Sequence, residues 1–157
     1  MKNLLILSVC LTTILFSATI NAQQQNIPVN EPNYNKPRLF DNLPARIPFN
    51  VESFESIFSL AKGTNVNFNL SDNAQFQFAG EVISHDFKYD NKIESVIIKS
   101  SNYQGANFTF SKSTDINNKT TYTGRILSLH HGDLYVLKSE KDGFVLIKKN
   151  FYDLVNE

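Results

Sequence analysis

The chain has 157 residues, with 15 basic and 15 acidic side chains, three histidines, one cysteine and no tryptophan. The charges are balanced and scattered without a basic run, which disfavours nucleic-acid binding, where clustered Lys and Arg must meet phosphates. No P-loop, dinucleotide glycine fingerprint, H-E-x-x-H helix or G-x-S-x-G elbow occurs, so the common enzymatic signatures are absent.

The N-terminus has the layout of a secretory signal peptide over residues 1–22. Lys2 forms a basic start, Leu4 to Phe16 is mostly apolar, and Asn21-Ala22-Gln23 offers a cleavage point after Ala22. The apolar run falls short of the roughly 20 residues a spanning helix needs. Cys10 lies inside that run, behind the large Val9, which is a poor setting for lipid attachment. Cleavage predicts an exported protein, periplasmic or extracellular, with no membrane span left. It also removes the only cysteine and leaves 14 basic against 15 acidic residues. Such a chain holds its fold without disulfides, by burying a core for which it is long enough.

Residues 23–37 (QQQNIPVNEPNYNKP) carry three prolines and many amides, and read as a flexible linker. Residues 38–157 read as a single β-rich domain. Near its start, Asn50 is a good helix N-cap and Glu52 and Glu55 suit the positive end of a helix dipole. Phe54, Ile57, Phe58 and Ala61 recur at helical spacing, and Gly63 ends the segment.

Beyond Gly63 the apolar period becomes two. Val66, Phe68 and Leu70 alternate with asparagines, and Phe76, Phe78, Gly80 and Val82 with polar residues. Runs follow at Ile93 to Ile98, Phe108 to Phe110, Tyr122 to Leu129, Leu134 to Leu137 and Phe144 to Ile147. Turn residues separate them at Ser71-Asp72-Asn73, Asp90-Asn91, Asn102 to Gly105, Ile116 to Asn118, His131 to Asp133 and Lys141 to Gly143. The expected fold is all-β: an antiparallel meander of seven or eight strands forming a barrel or a sandwich, with one short N-terminal helix packed on it. Alternate Phe residues are the expected core. Gly80 and Gly124 inside strands suggest bulges or sharp bends.

Few residues point to chemistry. His130, His131 and Asp133 are the candidate metal ligands, as zinc favours His and carboxylate. Adjacent residues of a strand face opposite ways, so the simpler reading is a polar turn with Gly132 at positive φ and Asp133 capping backbone groups. His85 reads as a surface residue, and Glu81, Asp86, Glu94 and Asp115 as solvated residues of strands or turns. Arg125 shares a strand face with Leu127 and Leu129; it can snorkel, pair with a carboxylate or grip an anion. The tail Phe151-Tyr152-Asp153-Leu154-Val155 reads as a final strand or an exposed docking segment, making Arg125, Phe151 and Tyr152 the candidate ligand or partner contacts. Asn69, Asn107 and Asn118 match the glycosylation pattern, as asparagine-rich sequences do by chance.

The stretch FQFAGEVISHDFKYDNKIESVIIKSSNYQGANFTFSK, with YTGRILSLHHGDLYVLKSEKDGFVLIKKNFYDLV after it, resembles a family of small secreted proteins from Bacteroidetes-type bacteria. The shared features are F-x-G-x-V, S-V-I-I-K-S-S-N and Y-x-G-R-I, spread over about Phe76 to Val155. The resemblance implies no particular activity. The stretch is more faintly similar to the β-rich regions that precede the catalytic domains of secreted bacterial metallopeptidases, although no zinc-ligand helix follows in this chain.

The functional expectation is an exported, non-catalytic binding or protein-interaction domain without a cofactor. The alternatives are a carrier of a small apolar ligand inside a β-barrel and, third, a metal-dependent enzyme using the histidine turn.

Overall fold

A computed structural model of the protein describes Asn33, residues 35–70 and residues 76–154. The expected signal peptide, most of the expected linker, the turn at Ser71-Asp72-Asn73 and Val155 lie outside the described residues. One compact unit spans Asn33–Glu157, so it takes in the end of the stretch expected to be linker.

Eight strands form one antiparallel sheet: β1 (Arg46–Phe49), β2 (Asn65–Asn69), β3 (Gln77–Lys88), β4 (Ile93–Ser100), β5 (Ala106–Thr114), β6 (Thr120–Ser128), β7 (Asp133–Glu140) and β8 (Gly143–Asn150). The sheet order is β1-β8-β7-β6-β5-β4-β3-β2. From β2 to β8 this is the expected meander, and β1 joins β8 at the far edge. The sheet curls into a half-barrel. Strand β1, whose RIPF sequence carries a proline, was not foreseen. Edge position is what lets Pro48 sit in a strand, because it has no amide hydrogen to give a second neighbour.

Between β1 and β2 the chain crosses the concave side. Helix α1 (Val51–Phe54) runs into a 3-10 turn (Glu55–Ser59). Asn50 caps it as expected, its side-chain oxygen accepting from the Ser53 amide at 3.1 Å. Ala61 lies beyond the helical residues, and Gly63 follows at φ +90°. The buried residues Val51, Phe54, Ile57 and Phe58 lie down on the sheet.

The sheet's contribution to that core follows its pleat. In β5, Ala106, Phe108 and Phe110 point inward while Asn107, Thr109 and Ser111 point out. Phe108 and Phe110 stand 5.9 Å apart and are ringed by Phe49, Phe54, Phe58, Phe68, Phe78 and Tyr122, all at 5.2–6.4 Å between centroids in one pairing or another. Each buried Phe is worth roughly 1.5–3 kcal/mol of transfer free energy. These rings occupy the concave side, replacing both the tryptophan and the disulfides the chain lacks.

Gly80 is inside a strand for a different reason than a bulge. A Cβ there would fall far inside contact distance of the Lys99 carbonyl oxygen on β4. The register slip lies two residues on, between Val82 and Ser84. Before the slip the even-numbered residues Phe78, Gly80 and Val82 face the core. After it, His85 pairs with Val96 and Phe87 with Glu94, so the odd-numbered residues face inward.

Candidate functional site

Three places gather polar side chains. The first is the His130-His131-Gly132-Asp133 turn between β6 and β7. Asp133 is buried, at 2% exposure, and its two carboxylate oxygens accept from the backbone amides of Leu39 at 2.7 Å and Phe40 at 2.9 Å. It therefore caps backbone groups, but those of a segment more than 90 residues away. The Gly132 amide donates to the Pro37 carbonyl at 2.9 Å, and the Phe151 amide donates to Gly132 at 2.8 Å. Gly132 does not have the positive φ expected of it; Gly63, Gly105 and Gly143 do. Its lack of a side chain matters because a Cβ would meet the Lys36 carbonyl at 3.0 Å.

The turn is thus the anchor of an N-terminal strap. Lys148 donates from Nζ to the Phe40 and Leu43 carbonyls, and the Tyr135 hydroxyl to Pro44. Phe40 fills the end of the half-barrel against Tyr103 and Tyr135, at centroid distances of 5.5 and 5.2 Å. Burial, with the Asp133 charge nearby, pushes the Tyr135 hydroxyl well above its ordinary pKa and keeps it a neutral donor. Of the two histidines, His131 meets the buried Ser128 hydroxyl through Nδ1 at 2.8 Å, while His130 is exposed. Among the described residues, no group of three or more His, Cys, Asp or Glu is placed to hold a metal ion.

The tail residues serve the same strap. Phe151 to Leu154 form a 3-10 turn rather than a strand. The Lys36 ammonium sits 5.1 Å from the Phe151 ring centre and 6.0 Å from that of Tyr152, and donates to the Leu129 carbonyl at 2.7 Å. The Tyr152 hydroxyl donates to Asn33.

The second place was not read from the sequence. His85 is no surface residue: its side chain is 16% exposed, and Glu94 beside it 12%. His85 Nδ1 faces the Leu60 carbonyl at 3.1 Å and Nε2 faces a Glu94 oxygen at 2.9 Å. The other Glu94 oxygen takes the Lys112 ammonium at 2.9 Å, which also lies 4.6 Å from the Phe58 ring centre. Burial raises the Glu94 pKa, but the hydrogen bonds and charges of His85 and Lys112 outweigh it and hold the carboxyl below its ordinary value. The slip after Val82 is what turns His85 inward. This cluster ties the end of the helical segment to the sheet.

The third place is the convex face around Arg125. Strands β6 and β7 pair only at Arg125–Leu127 with Leu134–Val136. Beyond Gly124, β6 stays with β5, and beyond Val136, β7 stays with β8. A cleft of about 390 Å³ opens there, lined by Thr109, Ser111, Thr123, Gly124, Arg125, Val136, Leu137, Lys138 and Leu154. Gly124 and Leu137 belong to the concave side by the pleat and form the floor of the cleft, close enough that a Cβ on Gly124 would stand 3.4 Å from Leu137. Arg125 and Lys138 are both exposed, and neither side chain forms an ion pair or hydrogen bond among the described residues. No carboxylate lines the cleft. No family model, curated protein or solved structure matches the chain. Of the three places, two spend their polar groups internally and the cleft does not.

Proposed function

We propose that the chain is an exported, non-catalytic binding module whose convex face engages a protein partner. The observation that carries this reading is the Arg125 cleft: two cations, three hydroxyls and an apolar wall, with no acidic residue among them. A charged cleft left without an internal counter-ion suits recognition of an anionic group from outside. Export is supported by the layout of residues 1–22. The ligand-carrier reading has less support, because the Phe rings described above take up the concave side where such a ligand would lie.

The test is affinity capture from the secreted fraction of the host, with the wild type and an Arg125→Glu/Lys138→Glu double variant run side by side. Both substitutions are on exposed side chains, so equal thermal stability of the two baits is expected. Proteins retained by the wild type and lost by the double variant support the reading. An identical retained set, or an empty one, overturns it.

A further inference from the structure

Resting on that reading, we propose that the cleft between β6 and β7 takes an extended peptide segment that pairs with an open strand edge and presents a carboxylate to Arg125 and Lys138. Thr120 to Thr123 pair with β5 on one side and, among the described residues, with no strand on the other, the parting starting past Gly124, where a Cβ would still stand 3.4 Å from Leu137. Lys138 to Glu140 pair with β8 on one side and, among the described residues, are likewise open toward β6. A strand edge inside a sheet is a row of main-chain donors and acceptors that calls for a partner, and an added strand is the chemistry that satisfies it.

The side chains along this edge set what the added strand carries. Arg125 and Lys138 lie on the same convex face, since Arg125 pairs with Val136 and Lys138 is two residues further along β7. A guanidinium and an ammonium on the one convex face of the cleft favour a carboxylate, which the guanidinium can hold in a two-pronged contact. Thr123, on the open edge itself, offers a hydroxyl to a polar position of the strand. Val136, Leu137 and Leu154 offer an apolar wall to a small aliphatic one. The ligand class is therefore a short β-forming peptide with an acidic side chain or a free C-terminus, bound chiefly through its backbone.

The experiment pans a random nonapeptide library with free C-terminal carboxylates against the full chain. Enriched peptides are then synthesised as acids and as amides with Glu and Asp changed to Gln and Asn. Binding by the acid form at least tenfold tighter than the neutral form is expected, with the difference abolished in Arg125→Ala. Hydrogen exchange should show new protection at residues 120–123 and 138–140. No enrichment, equal affinity of acid and neutral forms, or protection confined to other strands overturns the proposal. Titration with inorganic phosphate as the control probe separates a bare anion site: equal displacement of phosphate by acid and neutral peptides also overturns it. The captured partner of the preceding section provides the distinction from the broader reading. A partner whose footprint lies on the convex face but spares β6 and β7 leaves that reading standing and removes this one.

Discussion

Replacing Asp133 by Ala probes whether the histidine turn is a strap anchor. The wild-type carboxylate accepts from two backbone amides at 2.7 and 2.9 Å while 2% exposed. Hydrogen bonds to a charged acceptor are worth roughly 1.5–3 kcal/mol each, and their loss here leaves the Leu39 and Phe40 amides without acceptors. The expected destabilisation is about 3–5 kcal/mol. For a domain of this size that lowers the melting temperature by roughly 10–20 °C. Asp133→Asn retains one carbonyl acceptor and turns an NH₂ donor toward the other amide, so about half the effect is expected. Urea unfolding measures the free energy. Hydrogen exchange locates it: the amides of Leu39, Phe40 and Gly132 should lose protection together, while those of β4 and β5 follow only the global stability. An Ala variant within 1 kcal/mol of wild type, or one whose strap amides stay protected, would refute the reasoning.

The Glu94 carboxyl is held below its ordinary pKa of 4.5 in the folded chain, so it contributes stability above that value and the contribution is lost as pH falls through the folded-state pKa. Glu94→Gln should therefore cost about 1–2 kcal/mol at pH 7 and flatten the fall in urea midpoint between pH 5 and pH 2.5; parallel wild-type and variant curves would contradict this. Tyr122 donates its hydroxyl to Glu55, and that bond, with burial, raises its pKa to about 12. Its neutral form is favoured by folding, so the stabilisation is full below pH 10 and lost as pH rises through about 12. Tyr103 and Tyr135 are also held above the ordinary tyrosine value by burial, so ultraviolet phenolate titration should show one fewer late-titrating tyrosine in Tyr122→Phe than in the wild type, and one moving earlier in Glu55→Gln. Gly80→Ala forces a methyl into the Lys99 carbonyl, and should push β3 from β4 with a loss of at least about 2 kcal/mol by urea unfolding. Unchanged stability there would mean that the two strands part freely.

The meander was legible because strands show themselves as apolar alternation, as in β2, β3 and β5, or as short apolar runs between turn residues, as in β4, β7 and β8, and seven of the eight strands did one or the other. Strand β1 did not, because four residues with a proline are too few to show a period and its partner β8 lies about 100 positions away. Asn50 announced the helix start through its side-chain chemistry, whereas the helix length was overread at Ala61: Phe54, Ile57 and Phe58 are apolar for the same core whether the turn is α or 3-10. His85 was misplaced for a definite reason. Alternation counted from Phe78 puts residue 85 on the outer face, and only the slip after Val82 reverses it. That slip depends on how β3 and β4 pair, not on any residue of β3 that composition marks. The His130-His131 pair drew attention by residue type, yet Asp133 beside it matters most, through the amides of Leu39 and Phe40, just past the stretch expected to be linker.

Why the sheet parts between β6 and β7, and not elsewhere, follows from what sits on its concave side. Tyr122 stacks on Phe110 with centroids 5.8 Å apart and planes 7° from parallel, meets Phe144 of β8 edge-on at 5.9 Å, and ties its hydroxyl to Glu55 on the helical segment. It belongs to β6 and reaches toward both β5 and β8, so it occupies the space in front of the gap that β7 leaves. Gly124, two residues along the same face, keeps the strands close where pairing resumes: a Cβ there would already stand 3.4 Å from Leu137 and from Phe110. The ring that completes the core and the glycine that admits β7 thus lie at neighbouring inward positions of one strand, with Thr123 and Arg125 the outward positions beside them. The opening on the convex face is in this sense a product of core packing. A substitution that relaxed the core at Tyr122 would be expected to act on the Arg125 cleft as well, although the two face opposite ways.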